Sequence, residues 1–208
     1  MAVGQDAQTL IIACGALAHE LVALTGQLDH KQIDITCLPA IWHNTPDKIP
    51  AGVAAKIRAG RGKYQHIFVA YGDCGTGGQL DAVLAAEGVD RIAGPHCYQF
   101  FMGAAEFSAL TDGDPTAFYL TDYLVRHFDR IIIKGLGLDR FPELRDSYFG
   151  NYTKLIYIAQ TEDQRLQEKA LMAAKRLELG FEYCYRGYGE LDRKSGSAGM
   201  PRPSRMPS

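Results

Sequence analysis

The chain has 208 residues, of which 47% are hydrophobic and 22% are charged, and its formal net charge is −2. This length can bury one sizeable core, and the composition is that of a globular protein. The slight negative charge argues against a general nucleic-acid binder, which needs a basic surface. The apolar runs are too short to cross a membrane, and no basic segment precedes the first of them. We therefore expect a cytoplasmic protein whose cysteines stay reduced and serve metals or catalysis more often than disulfides.

Short apolar runs of β-forming residues alternate with helical segments along the chain. In chain order, strands are predicted at 10–13, 34–40, 67–70, from Arg91 to a turn at 94–97, 154–160 and 181–186. Helices are predicted after a turn at Cys14-Gly15 and at 49–59, 79–87, 116–128 and 163–179, with a loop at 41–46 and either a strand or a long helix within 130–144. This alternation predicts a single α/β domain at 9–192 with a mainly parallel, doubly wound, Rossmann-like sheet. Residues 1–8 are expected to be a flexible leader, and 193–208 a disordered tail poor in apolar groups.

The loop after the third predicted strand is the strongest functional signal in the sequence. It reads Tyr71-Gly72-Asp73-Cys74-Gly75-Thr76-Gly77-Gly78 and contains four glycines in the seven residues 72–78. Glycine allows positive φ and lets a ligand approach the main chain closely. Open α/β sheets bind their ligands where a strand passes into the following helix. We therefore expect the chemistry of the protein at this loop.

The spacing of the cysteines repeats within the chain. Cys14 and Cys37 are 23 residues apart, and Cys74 and Cys97 are also 23 residues apart. We interpret the two pairs as two βαβ units, with chance spacing as the alternative. Successive parallel strands end at the same edge of a sheet, so all four cysteines are predicted along the carboxyl edge. His43, Asp73 and His96 lie in the same predicted loops, whereas Cys184 is outside the pattern and is predicted to be a core residue.

The first functional hypothesis is a metal or iron–sulfur site. Four thiolates, or three thiolates with a histidine, suit tetrahedral zinc or an iron–sulfur cluster. The predicted ligands are Cys14, Cys37, Cys74 and Cys97. The sequence has no CxxC pair among them, so the fold alone has to bring them together.

The second hypothesis is a metal-free enzyme with a cysteine nucleophile. Cys74 precedes a predicted helix, and a helix N-terminus lowers the pKa of a nearby thiol. His96 or His43 is a candidate base, and Asp73 is a candidate to orient it. The structural alternative is that the cysteines are buried core residues and the glycines only form turns.

The loop amides also suit a small-molecule ligand. Backbone N–H groups in a glycine-rich turn can surround a phosphate or carboxylate. Gly75, Thr76, Gly77 and Gly78 are the candidate binding residues, together with His43. The loop lacks the GxGxxG order and the Walker lysine, which disfavours a nucleotide.

Several longer motifs of this chain resemble one known protein family. They are ACGAL (13–17), CLPAxxHNxP (37–46), AYGDCGTGGxLD (70–81), RIAGPHCYxFF (91–101), KGLGLDRFPELRD (134–146) and YFGNY (148–152). Together they resemble the DUF1638 family of bacterial and archaeal proteins over about residues 9–192. The resemblance implies an association with corrinoid-dependent methyltransferases and a role in one-carbon metabolism. A corrinoid protein or methyltransferase is thus the implied partner, which includes the third hypothesis of a non-catalytic accessory protein. No catalytic residue is implied by the resemblance.

Overall fold

The computed structural model describes residues 8–26, 33–189 and 191. The chain divides into two compact units. Unit 1 contains the described residues up to Cys97 together with Leu191, and unit 2 contains those from Tyr98 to Gly189. Almost all of the predicted leader at 1–8 and the whole predicted tail at 193–208 lie outside the described residues. Residues 9–192, which the sequence placed in one domain, are thus shared between two units.

Unit 1 contains three strands and three helices. These are β1 (Thr9–Cys14), α1 (Ala18–Thr25), β2 (Ile33–Leu38), α2 (Lys48–Gly60), β3 (His66–Ala70) and α3 (Gln79–Glu87). The strands form a parallel sheet in the order β2-β1-β3. Strand β1 is central and nearly all of its side chains are buried, as expected for a parallel strand covered on both faces. Short 3-10 turns, Gly15–Leu17 and Ala40–Asn44, follow β1 and β2.

Two predictions for unit 1 are corrected by the structure. The loop predicted at 41–46 is largely the 3-10 turn just described. The strand predicted at Arg91 is a single parallel bridge to Val69. After that bridge, the carbonyl oxygens of Gly94 and Pro95 accept hydrogen bonds from the loop that follows β3, so they do not extend a ladder.

Unit 2 contains most of the remaining elements. The boundary between the units falls inside α4 (Cys97–Met102). The others are α5 (Ala104–Gly113), β4 (Ala117–Thr121), α6 (Asp122–Arg126), α7 (Leu144–Phe149), β5 (Lys154–Ala159), α8 (Gln164–Arg176) and β6 (Gly180–Tyr185), with a π-helical turn at Asp129–Ile133. The strands form a second parallel sheet in the order β4-β5-β6. Its core lies between β5, α6, the π-helical turn and α8.

The helix predicted at 116–128 is wrong in its first half. Residues 117–121 form β4, and only Asp122–Arg126 is helical. The run Ala-Phe-Tyr-Leu-Thr consists mainly of β-forming residues, and pairing with β5 buries it on both faces. The isoleucines at 131–133 lie in the π-helical turn, so they form neither of the predicted alternatives of a strand or a long helix.

The predicted α/β class with parallel strands is confirmed, and the arrangement is consistent with a Rossmann-like fold. The strands occupy two three-stranded sheets, whereas the sequence was interpreted as one sheet. Within the described residues, no helix is both long and apolar enough to cross a membrane.

Candidate functional site

The carboxyl edge of the unit 1 sheet carries the four cysteines of the repeat. Cys14 is the last residue of β1, and Cys37, next to the last in β2, is in register with Ala13. Cys74 lies in the loop after β3, and Cys97 follows the Arg91 bridge at the start of α4. The structure therefore places these four residues in one unit, at or after the ends of neighbouring parallel segments.

Three of the thiols are close enough to Cys14 for it to influence their pKa values. Desolvation raises the pKa of Cys37, and the nearby Cys14 raises it further. Desolvation also raises the pKa of Cys74 to about 12, again with Cys14 as the next cause. Cys97 has a pKa well above the ordinary value because of desolvation, then Cys74 and Cys14. Cys14 is thus the common neighbour of the other three.

Cys184 belongs to a different environment. It is half-buried in β6 of unit 2, where the sequence predicted a core residue. Desolvation raises the pKa of its thiol, and its other electrostatic neighbours are Arg186, Glu106 and Glu182. It is therefore a suitable control for the other four cysteines.

The raised pKa values mean that the thiols are protonated at neutral pH. This direction is opposite to the thiolate that the sequence predicted for Cys74. The structure gives a reason, because α3 begins only at Gln79, five residues beyond Cys74. The backbone amides of Gly77 and Gly78, which lie between them, donate hydrogen bonds to another group.

That group is the carboxylate of Asp73. Its Oδ1 accepts hydrogen bonds from Thr76 Oγ1 at 2.6 Å and the Gly78 amide at 2.9 Å. Its Oδ2 accepts one from the Gly77 amide at 3.2 Å. The Thr76 hydroxyl, followed by these amides and Arg91, holds the pKa of Asp73 below its usual value. Two of the amides proposed to bind an anionic ligand, those of Gly77 and Gly78, thus already donate to a carboxylate of the same loop, which fixes the loop's shape.

The backbone of Cys74 has an unusual conformation. Its φ is +51°, in the left-handed region that residues other than glycine, Asn and Asp rarely adopt. Its N–H donates to Pro95 O at 2.8 Å, and its side chain is buried. A glycine would relieve the strain, so the thiol is present at a cost to stability.

We expect Cys74→Gly to be more stable than Cys74→Ala. Both variants remove the thiol, but only glycine adopts positive φ without strain, a difference of about 1 kcal/mol. Thermal melts of the two variants measure this difference. The matched control is the comparison of Glu178→Gly with Glu178→Ala. Glu178 also has a positive φ, +57°, but it lies in unit 2. Equal melting of the two Cys74 variants would contradict a strained cysteine.

The two predicted histidines lie near each other at the same edge. His43 is in the 3-10 turn after β2, and His96 directly precedes Cys97. Desolvation, followed by repulsion from His96, lowers the pKa of His43, although its side chain keeps an exposed face. Desolvation also lowers the pKa of His96, against an opposing effect of Asp73. Both imidazoles are therefore neutral at pH 7, the form that accepts protons or binds metals.

Two buried acidic groups near the thiols were missed by the sequence analysis. Tyr71, 1% exposed, lies near the thiol of Cys14, and desolvation followed by that thiol raises its pKa. Glu20, on α1, is 3% exposed and contributes to the raised pKa of Cys97. The position of Tyr71 just after β3 was a usable signal, whereas nothing local marks Glu20 as buried.

Arg91 positions the loop that carries His96 and Cys97. Its guanidinium forms a two-point ion pair with Asp81 in the first turn of α3, at 2.5 and 2.9 Å. It also donates to the carbonyl oxygens of Ile92 at 2.9 Å and Gly94 at 3.0 Å. Arg91 thereby joins α3 to the 92–96 loop.

Trp42, in the 3-10 turn before His43, packs on α2. A methyl group at position 52 would overlap its indole ring, so the glycine at that position makes room for the ring. The half-buried Trp42 thus fixes the turn against α2.

Comparison with known proteins identifies the family. The family described as "Protein of unknown function (DUF1638)" matches residues 37–193. The chain belongs to the DUF1638 family. The match includes Cys37, Cys74 and Cys97 and begins after Cys14. No curated protein and no solved structure matches the chain of this DUF1638 protein.

The side chains at this site of the DUF1638 protein are of the types that bind metals, but their present positions do not form a metal site. Among the residues that the structure describes, no three His, Cys, Asp or Glu side chains are placed to hold one ion. Four thiols and two neutral imidazoles nevertheless form a donor set typical of zinc or iron. The metal or iron–sulfur site stays a prediction, and it requires the thiols to move from their described positions.

Proposed function

We propose that this DUF1638 protein binds a thiophilic metal, as zinc or an iron–sulfur cluster, through its four unit 1 cysteines. The observation that carries the proposal is the placement of the four cysteines at or after the carboxyl ends of neighbouring parallel segments in one unit. A set of four sulfur donors is complete for tetrahedral zinc without an external ligand.

Protons keep the donor groups of the site neutral in the metal-free chain. Tyr71 beside the thiols also has a raised pKa and stays protonated, and Glu20 is a buried carboxyl group near Cys97. The nearby cations are Lys56, which lowers the pKa of Cys37, and Arg91, which lowers that of Cys74. Neither outweighs desolvation, so protons neutralise the thiols in the metal-free chain. A divalent cation replaces those protons and lowers all the thiol pKa values together.

The movement required includes the end of β2 as well as side-chain rotamers. Cys37 is in register with Ala13, so its side chain faces the side of the sheet opposite to that of Cys14. A change of χ1 redirects the other sulfurs, and the last residues of β2 have to turn to bring Cys37 to them. Cys37 is exposed and offers an approach for the ion, whereas Cys14 and Cys74 are buried.

Zinc titration of the reduced chain tests the proposal. Each ligating thiol enters the reaction protonated because its pKa is raised, so binding releases about one proton per thiol. The apparent affinity is therefore expected to rise steeply with pH across about 6–8, since ligand protons compete less as pH increases. Calorimetry in two buffers with different ionisation enthalpies counts the released protons. Anaerobic purification with iron, sulfide and zinc analysis decides between the two metal forms.

Single Cys→Ser variants at 14, 37, 74 and 97 identify the ligands. Each is expected to lose more affinity than the roughly 10–100-fold typical of losing a group that only orients a ligand. Cys184→Ser is the matched control and should bind zinc as the unchanged chain does. Full zinc retention in both Cys14→Ser and Cys37→Ser would contradict the proposal and favour the Cys74/His96 nucleophile. That alternative is disfavoured at neutral pH by the pKa of about 12 at Cys74.

A role in corrinoid-dependent methyl metabolism rests on the family resemblance alone. The sequence analysis predicted two forms of this role, a metal-dependent enzyme and an accessory protein of a methyltransferase.

A further inference from the structure

Unit 2 has an open groove of about 900 Å³. One wall is formed by α6 and the start of the π-helical turn, and the other wall is α8. All of the lining residues belong to unit 2. The groove is therefore a feature of this unit by itself.

The floor of the groove is apolar. Val125, Phe128 and Ala173 line it with buried side chains that belong to the core of unit 2. Met172 lies at its side and is 63% exposed, an unusual exposure for a large apolar side chain. Methionine is adaptable in shape and is common on surfaces that bind helices.

The rim of the groove is basic. Five cations and two anions line it, in a chain whose total formal charge is −2. Arg176 pairs with Asp129 at 2.5 Å, and Arg126 approaches Asp122 at 3.5 Å. The remaining cations, Arg165, Lys169 and Lys175, have no side-chain hydrogen bond or ion pair with any residue that the structure describes.

The exposed side chains follow one stripe of α8. Arg165, Lys169, Met172 and Lys175 recur at spacings of three or four residues, the spacing of one helix face. From Arg165 to Arg176 the stripe runs for about 16 Å, which is about three helical turns. A second helix of the same length can therefore lie along it.

We propose that this groove docks an acidic amphipathic helix from a partner protein. An apolar side chain of that helix packs against Met172 and the buried floor, and its carboxylates face Arg165, Lys169 and Lys175. Arg165, Lys169 and Lys175, which have no side-chain partner among the described residues, complement the negative charge of the carboxylates. The apolar floor favours a helix over a small anion, because a small anion needs no apolar contact area. The proposal is independent of the metal site, which lies in unit 1.

The test uses the full chain and a fluorescein-labelled peptide of about 14 residues, or four helical turns. The peptide carries glutamate on one face and leucine on the other, and a second peptide has lysine in place of each glutamate. We expect saturable binding of the acidic peptide by fluorescence polarisation, weakened by added salt because the charges are exposed. The lysine peptide is expected not to bind.

Charge reversal in the groove provides the matched variants. The double variant Arg165→Glu, Lys169→Glu should weaken the acidic peptide at least tenfold, and Met172→Ala should weaken it several-fold. Arg140→Glu reverses an exposed charge outside the groove and should leave the affinity unchanged. Circular dichroism checks that all variants are folded. Equal binding of both peptides, or unchanged affinity in the double variant, would overturn the proposal. So would a dimer of the chain that Met172→Ala dissociates, since the occupant would then be a second copy.

Discussion

Replacing Asp122 by alanine is expected to lower the free energy of unfolding by about 3–5 kcal/mol, the usual effect of removing one partner from a buried charged network. Asp122 begins α6 directly after β4, and its side chain is completely buried. Its Oδ1 accepts hydrogen bonds from Tyr157 OH at 2.8 Å and the Gln160 amide at 2.9 Å. Its Oδ2 accepts one from Thr161 Oγ1 at 2.5 Å. The carboxylate therefore joins the carboxyl ends of β4 and β5, and its loss leaves several buried donors without an acceptor.

The matched control for this prediction is Asp146→Ala. The Asp146 side chain is 79% exposed and pairs with Arg145 at the surface, so its removal should cost less than about 1 kcal/mol. Tyr157→Phe removes a single bond of the network and should give an intermediate loss. Denaturant unfolding of the three variants measures the order. A loss at Asp122 no larger than the loss at Asp146 would show that the network contributes little.

Gly72→Ala is expected to destabilise the protein by about 1–3 kcal/mol, as overpacking of a close contact does. A Cβ at this position would lie 3.0 Å from Pro95 O and 3.1 Å from both the amide nitrogen and the Cα of His96. These are backbone atoms and cannot rotate away. The two loops would have to separate, which weakens the bonds from Asp73 N to Gly94 O at 3.2 Å and from Cys74 N to Pro95 O at 2.8 Å. Binding of zinc at the proposed site should weaken together with stability, because the same loops carry Cys74 and Cys97.

Gly113→Ala is the control for that substitution. A Cβ at Gly113 meets no atom within 4 Å, and this residue is the last of α5. Alanine is also the better helix former, so this variant should be as stable as the unchanged chain or slightly more stable. Thermal melts and zinc titrations of the two variants provide the comparison. A Gly72→Ala protein that behaves like Gly113→Ala would mean that the loops separate easily.

Local sequence patterns were sufficient to predict the bounds of strands and helices where glycine-rich turns separate the elements. The strand at 67–70 and the helix at 79–87 were predicted almost to the residue, because a glycine-rich loop separates them and Gly88 ends the helix. The segment 117–121 was mistaken for a helix because its apolar residues fit both periods. A parallel strand buried on both faces shows no alternation that would distinguish it. The polar network of Asp122 was missed with it, since that network depends on the pairing of β4 with β5.

The placement of the cysteines at strand ends was predictable, whereas their convergence and their chemistry were not. A parallel sheet places successive strand ends at one edge, so spacing alone indicated that Cys14, Cys37, Cys74 and Cys97 would lie along the carboxyl edge. Among the described residues their side chains do not meet as metal ligands. The protonation of the thiols depends on burial, which the sequence does not specify. The hydrogen bonds of Asp73 to its own loop depend on backbone conformations at Gly77 and Gly78. The sequence offered no sign that Arg91 would bridge α3 and the following loop.

The packing of Trp42 on α2 has a practical consequence for separating the behaviour of the two units. Trp42 is the single tryptophan of the chain and lies in unit 1. Its indole is held in contact with Gly52, so unfolding of unit 1 changes its solvation and its fluorescence. Tryptophan emission therefore follows unit 1, while far-ultraviolet circular dichroism follows the helices of both units. A difference between the two melting curves would measure how far the units unfold independently.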